Sequence, residues 1–162
     1  MGETAKKLCS RIATHNGVFH CDDVLACYLL KLLPEFRDAE IIRTRDEDLI
    51  QKCDAVVDVG GIYDHKNLRF DHHQRDFNET LGSIQPKYDK LFSRTKLSSA
   101  GLVWCHLGHR ICQHLLGVSE EPNAENPETS YEIEKVYQRM YERFIEEIDA
   151  TDNGINAYDS EP

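Results

Sequence analysis

The run Asp54-Ala55-Val56-Val57-Asp58-Val59-Gly60-Gly61 constrains this chain more than any other segment. It is apolar without alternation, β-branched, and closed by two glycines. A strand that reads this way is covered on both faces, as in the middle of a parallel sheet, and the glycines mark where the chain leaves it. Such a strand needs parallel neighbours joined by crossover helices. Arg11–Thr14 reads as one neighbour, entering a turn at His15-Asn16-Gly17, and Glu40–Thr44 as another. Between them, Cys21 to Leu33 is helical and apolar nearly all round, which predicts a helix covered on more than one side and stopped by Pro34. A short helix is expected over Glu47 to Cys53, and a short strand or turn over Asp64 to Phe70. Residues 74–95 are polar and irregular, a length of loop that is usually functional or mobile. Ser98 or Ser99 caps a helix that runs to about Leu116 and ends at Gly117. An acidic connection occupies 119–129. In the last helix, Ile133, Val136, Tyr137, Met140, Tyr141, Phe144, Ile145 and Ile148 form a core stripe. Strands alternating with helices predict an α/β fold, with a mostly parallel sheet and helices on both faces, as a single domain over 1–162.

Charge placement narrows the partners. The net charge is -10, and residues 119–162 hold thirteen acids against three bases, so this segment carries the whole deficit. An acidic chain is a poor passive binder of nucleic acid, because affinity for phosphate rests on Lys and Arg. Positions 66–96 are locally basic, with Lys66, Arg69, Arg75, Lys87, Lys90, Arg94 and Lys96 against four acids. On charge alone that stretch reads as a solvated loop. No apolar run is long enough to span a bilayer, so no membrane partner is expected. No signal or transit peptide is visible before Arg11. The six cysteines include no C-x-x-C pair. Cys21, Cys27, Cys105 and Cys112 fall in apolar helical patterns and read as small buried thiols, as expected in a reducing compartment.

In sheets of this class ligands gather beyond the carboxyl ends of the strands. Four polar clusters fall there: His15 through Asp23 after the first strand, Asp58 after the Val56-Val57 strand, Asp71-His72-His73, and Asp149 or Asp152 at the end of the last helix. Imidazole with carboxylate suits manganese, iron, zinc or magnesium. Two metals about 3.5–4 Å apart need a shared carboxylate, and Asp58 is the natural bridge. Each piece also has a plainer reading. Asp22 or Asp23 serves as a first-turn acid, His15 and His65 as turn residues, and Asp152-Asn153-Gly154 as a helix stop. The conjunction at four successive element ends favours a site.

Asp71-His72-His73 resembles the signature of the DHH phosphoesterase superfamily, which includes RecJ-type exonucleases and family II pyrophosphatases. The segments Thr14 to Asp22, Val57 to Gly61, Phe70 to Arg75, Lys96 to Leu102 and Asp149 to Gly154 resemble the Myg family of exonucleases within it, over nearly all of Arg11 to Asn156. The resemblance implies a manganese-dependent 3′-to-5′ exonuclease acting on RNA, or on other nucleic acid, in nucleus and mitochondria. It puts His15, His20 and Asp22 in the first metal motif, Asp58 at the bridge and His72 at a metal. It places His73 toward the phosphate, with Asp71 orienting its neighbours, and Asp149 as the final ligand with Asp152 as its alternative. Arg75 and Lys96 are the expected phosphate contacts. Phe77 is either a base-stacking ring or core.

Two departures stand out. The first motif is H-x-x-x-x-H-x-D rather than H-x-x-x-D-x-D, so His20 replaces a carboxylate and the site is less suited to magnesium. The superfamily's usual second domain is not visible within 162 residues. Two other functions compete: hydrolysis of pyrophosphate or short dinucleotides, and a metal-binding interaction domain without catalysis.

Overall fold

A computed structural model describes residues 9–118 and 127–156. Residues 1–8 and the 119–126 part of the acidic connection lie outside the described residues.

Five strands form one sheet in the order β2-β1-β3-β5-β4. They are β1 (Arg11–Thr14), β2 (Glu40–Arg43), β3 (Ala55–Val57), β4 (Tyr63–Asp64) and β5 (Arg69–Phe70). β1 pairs in parallel with β2 and β3, and β3 with β5; only β4 runs antiparallel. The segment expected to be a strand or turn is therefore a small hairpin. Its left-handed Leu68 (φ 56°) follows a one-turn 3-10 helix at His65–Asn67.

The alternating faces of β1 show how the core divides. Ile12 joins the main core with Ala55, Val57 and Phe70. Ala13 faces the other way, with Val56. The main core is covered by α1 (Cys21–Lys31) and α4 (Ser99–Leu115), and α5 (Pro127–Met140) packs on α4. The opposite face is thinner. It is closed by Ile50 at the end of the one-turn α2 (Glu47–Ile50), with Cys53 and Val59. Helices thus lie on both faces in very unequal measure.

Three expectations need correction. α1 is not covered all round: Val24 and Tyr28, one turn apart, are 51% and 60% exposed. Cys21 is exposed rather than buried, whereas Cys27, Cys105 and Cys112 are buried as expected. The 74–95 stretch is not a free loop. It contains α3 (Leu81–Ile84) and a 3-10 turn at Pro86–Tyr88, and it buries Phe77, Leu81, Tyr88 and Phe92 in the main core. Its basic residues are partly engaged, since Lys87 pairs with Glu134 at 2.8 Å. Arg69, in β5, donates to the carbonyls of Cys53 and Asp54. Apolar side chains spaced irregularly through a polar stretch carry no period, so the sequence alone gives no sign of their burial.

The last helical stretch is also not one regular helix. After α5 comes a π-turn at Tyr141–Ile145, then α6 (Glu146–Asp152). A π-turn inserts a residue and so rotates the helix beyond it. Here it keeps both Tyr141 and Asp149 fully buried.

Two glycines permit the close packing of α4. A Cβ on Gly108 would lie 2.7 Å from the Tyr137 ring and 2.8 Å from that of Trp104. A Cβ on Gly101 would run directly into both carboxylate oxygens of Asp149. Gly101→Ala is therefore expected to destabilise the fold by at least ~1–3 kcal/mol, the usual range for overpacking, despite alanine's better helix propensity. Urea unfolding would measure it, and an unchanged midpoint would mean that α6 yields freely.

Candidate metal centre

Parallel strands all end on the same edge, so the residues that come after them meet. His15 follows β1, Asp58 follows β3, and Asp71-His72-His73 follow β5. Asp22 and Asp23 lie in the first turn of α1, and Asp152 ends α6. Asp58 has φ of 55°, the left-handed region that Asp and Asn tolerate better than other side chains. Such backbone strain clusters at functional sites.

Asp58 sits among three histidines. Its Oδ2 is 3.4 Å from His15 Nε2, and its Oδ1 is 3.5 Å from His72 Nε2 and 3.4 Å from His73 Nδ1. His72 Nε2 also lies 3.1 Å from Asp152 and 3.8 Å from Asp22. Three triplets have ligand atoms within 4.8 Å of one another: His15, His20 and Asp58; Asp58, His72 and His73; and Asp22, His72 and Asp152. Asp58 belongs to two of them and faces the third through His72.

The final carboxylate is where sequence and structure part. Asp149 belongs to none of these triplets. It is fully buried, and its oxygens accept hydrogen bonds from the Ser98 amide (2.9 Å), the Ser98 hydroxyl (2.8 Å) and Tyr141 (3.1 Å). Asp152, three residues on and so on nearly the same helical face, reaches His72 instead. A π-turn lies upstream of both, and no local sequence period announces it. Asp22 is held from behind: Ser98 Oγ is 2.6 Å from its Oδ1, and the Ser99 and Ala100 amides donate to it at 3.0 and 2.6 Å. Asp22 thus sits at the amino end of α4, where orphan amides and the helix dipole favour an anion. The plainer reading of Asp22 or Asp23 as a first-turn acid holds for α1, and Asp22 also faces the amino end of a distant helix. Asp23 accepts from the His20 amide at 2.7 Å and lies 3.7 Å from His15 Nε2.

His73 is oriented by Asp71. The Asp71 Oδ1 bonds His73 Nδ1 at 2.7 Å and accepts its amide at 3.1 Å, while Oδ2 accepts from Gly61 at 2.6 Å. The His73 side chain is 63% exposed, facing solvent at the mouth of the site.

The electrostatics are set by these neighbours. Burial alone lowers the His72 imidazole, but the carboxylates of Asp152, Asp58 and Asp22 outweigh it and push it up to about 10. Asp71 raises His73. Burial raises Asp22 to about 6 against the hydrogen bonds it receives, with Asp58 adding repulsion. Burial likewise carries Asp149 to about 8. Burial also works against Asp71 and Asp152, but His73 and Gly61 hold the first below the usual carboxylate range and His72 the second.

The donor set fits a cation. His15 Nε2, His72 Nε2 and Asp58 Oδ1 are buried polar atoms without a hydrogen-bond partner among the described residues. Leaving such atoms unpaired costs about 1–3 kcal/mol each, and all three face the same space. Two adjustments are needed. The carboxylates that push His72 up keep a proton on its ring, which a cation at Nε2 must displace. His15 Nδ1 accepts the Gly17 amide at 3.1 Å, which leaves the ring proton of the neutral imidazole on Nε2. A cation at Nε2 requires that proton to move and the Gly17 contact to open.

Arg75 is exposed two residues beyond His73, and half-buried Lys96 lies beside Thr80 in a lone bridge. Phe77 is 8% exposed and meets Tyr63 and His72 edge-on, so it is core. The sequence marks Ser98 only as a cap and gives no sign of its contacts to both Asp22 and Asp149. Seventy-six residues separate Ser98 from Asp22, so only the fold joins them.

An α/β domain that delivers His/Asp triplets to one edge of a parallel sheet defines a candidate divalent-cation centre. Residues 11–162 match the MYG1 exonuclease family model, described as an uncharacterised protein family (UPF0160). The chain belongs to this family. It is 53% identical to human MYG1 exonuclease over 148 residues, covering 91% of this chain and 36% of that protein. It is 48% identical to the MYG1 protein C27H6.8 of Caenorhabditis elegans over 153 residues, 94% of this chain and 42% of the relative. Against the MYG1 protein YER156C of Saccharomyces cerevisiae it is 42% identical over 152 residues, 94% and 40% respectively. The chain therefore spans well under half the length of these relatives. No solved structure matches it. No described helix is long and apolar enough to cross a membrane.

Proposed function

We propose that this domain, of DHH phosphoesterase type, carries the two-metal centre of a manganese-dependent exonuclease that hydrolyses RNA from the 3′ end. The observation that carries this reading is the set of orphaned buried atoms on His15, Asp58 and His72, flanked by carboxylates and open toward an exposed histidine. His15, His20 and Asp58 would hold one cation, and Asp22, His72 and Asp152 the other, with Asp58 shared. Bound cations supply phosphate charge neutralisation and a more acidic water. His73 contributes separately. Asp71 Oδ1 accepts from its Nδ1–H, which favours the charged ring and leaves Nε2–H to donate to a phosphate oxygen, where charge grows in the transition state. Ser98 and the amino end of α4 hold Asp22 in place, so its Oδ2, which accepts from the Ser99 amide, is kept facing His72 without searching. The exonuclease activity named for the mammalian relatives supports the reaction class. RNA, manganese and polarity rest on the family resemblance.

The test is hydrolysis of RNA, a dinucleotide and pyrophosphate with manganese, using this chain and a full-length relative. Substrates labelled at either end report polarity. We expect weak turnover of RNA by this chain, because its acidic segment opposes phosphate binding and few positioning groups surround the metals. His72→Ala should remove activity in both proteins. Faster turnover of pyrophosphate than of RNA would make this a small-molecule phosphoesterase. Manganese binding with no turnover of any substrate by either protein would leave a non-catalytic domain.

A further inference from the structure

The loop that carries His15 and His20 also presents its two most apolar side chains to solvent. Val18 is 82% and Phe19 is 62% exposed. Exposed apolar residues beside a polar site call for an explanation when they cluster, and here they do. Phe19 adjoins a hollow of about 290 Å³ whose wall also includes Val24 and Tyr28 of α1, Ile41 and Arg43 of β2, and Lys31. That volume is near the lower end of small-ligand pockets, roughly 300 Å³. Thr14 and Asp23 form its inner wall, so the hollow borders the metal centre.

Phe19 is held in place. The Arg43 guanidinium lies 3.7 Å from its ring centroid. Arg43 is itself pinned to the loop, donating to the carbonyls of His15 (3.2 Å) and Gly17 (2.5 Å). The ring thus stacks on a fixed cation on one side and remains open elsewhere, and little freedom is left for a ligand to freeze out. Cations gather here although the chain is strongly acidic: Arg43, Lys31, and Arg45, which approaches Gly17.

We propose that Phe19, backed by Arg43 and flanked by Tyr28, forms a nucleobase subsite next to the metal centre. Its ligand is the base of the nucleotide whose phosphate meets the cations. The inference rests on the phosphodiesterase reading of that centre and deepens it, because an aromatic ring offers nothing to pyrophosphate and suits any base. Stacking on aromatic rings is tolerant of base identity, so a non-specific exonuclease is the expected user. Adjacency supplies the spacing: Phe19 is the residue before His20, one Cα step of about 3.8 Å.

The experiment measures binding of adenosine 5′-monophosphate and of ribose 5-phosphate in the presence of manganese, with bound manganese followed by electron paramagnetic resonance in the same samples. The wild-type chain should bind the nucleotide about tenfold more tightly than the base-free sugar phosphate. Phe19→Ala should bring that ratio close to one, and Phe19→Trp should keep it. Phe19 is exposed, so neither change threatens the fold. Equal ratios in wild type and Phe19→Ala, or no preference in wild type while manganese is bound, would overturn the subsite and leave the metal centre standing. Failure to bind manganese at all would overturn both.

Discussion

Manganese should raise the melting temperature of the wild-type chain, and Asp58→Asn should remove the rise. Asp22, Asp58, Asp152 and the four histidines of the triplets surround buried atoms that have no hydrogen-bond partner among the described residues. A cation that binds the folded state alone stabilises it by about 2.7 kcal/mol at a hundredfold excess over Kd. For a chain of this size that is a shift of roughly 5–10 °C. Asp58 faces both His15 and His72, so losing its charge weakens both halves of the centre at once. Asparagine is the informative replacement. It tolerates the left-handed backbone at φ 55°, where alanine would add strain of its own. Thermal scans with and without manganese measure the effect. A full rise in Asp58→Asn would show that the cations bind elsewhere.

Asp149 and Asp152 should separate cleanly. Asp152→Asn should weaken the manganese response and cost the metal-free fold less than Asp149→Ala does, because its carboxylate is partly exposed and its partner in the site is His72. Asp149→Ala should cost the fold about 2–4 kcal/mol, since the Ser98 amide and hydroxyl and the Tyr141 hydroxyl lose a buried acceptor. Asp149→Asn should be mild, because its oxygen can still accept from Ser98 and its amide can donate to Tyr141. The pH dependence sharpens this contrast. Asp149 is raised by burial to about 8 in the folded chain, against 3.8 ordinarily. Between those values the folded state holds a proton that the unfolded state has released. Stability contributed by Asp149 is therefore complete below about pH 4 and declines as pH rises toward 8. Asp149→Asn removes that decline. Urea unfolding of both proteins across the interval, in chelator, tests it. Parallel pH profiles would mean that Asp149 is ionised when buried. Loss of the manganese response in Asp149→Asn, but not in Asp152→Asn, would restore Asp149 as the ligand.

Much of the architecture was legible because burial on both faces leaves a mark on a short segment. The Ala55–Val57 strand, its parallel neighbours and the motif residues after each strand can be read from local composition and chain order. The expected site residues His15, His20, Asp22, Asp58 and His72 also fall together, since parallel strands share one carboxyl edge. Other features were illegible for specific reasons. The apolar circumference of α1 predicted cover that Val24 and Tyr28 lack, because hydrophobicity reports a tendency to be buried and not the presence of a partner. Residues 74–95 read as polar loop although Phe77, Leu81, Tyr88 and Phe92 belong to the core. Phe19 is one loop residue among several in the sequence, and only the Arg43 guanidinium against its ring sets it apart.

By itself the sequence determined the α/β class, the parallel strands and the His/Asp clusters that could hold a cation, all of which depend on residue type and spacing within a few positions. Only the tertiary structure decided which carboxylate faces His72. Asp149 and Asp152 are one helical turn apart and chemically identical, and only their packing against Ser98, Tyr141 and His72 tells them apart. Only the fold, likewise, brought Ser98 to Asp22 and Arg43 to Phe19. Contacts between distant segments depend on how helices rotate and pack, and that is settled by the whole core at once rather than by any local run of residues.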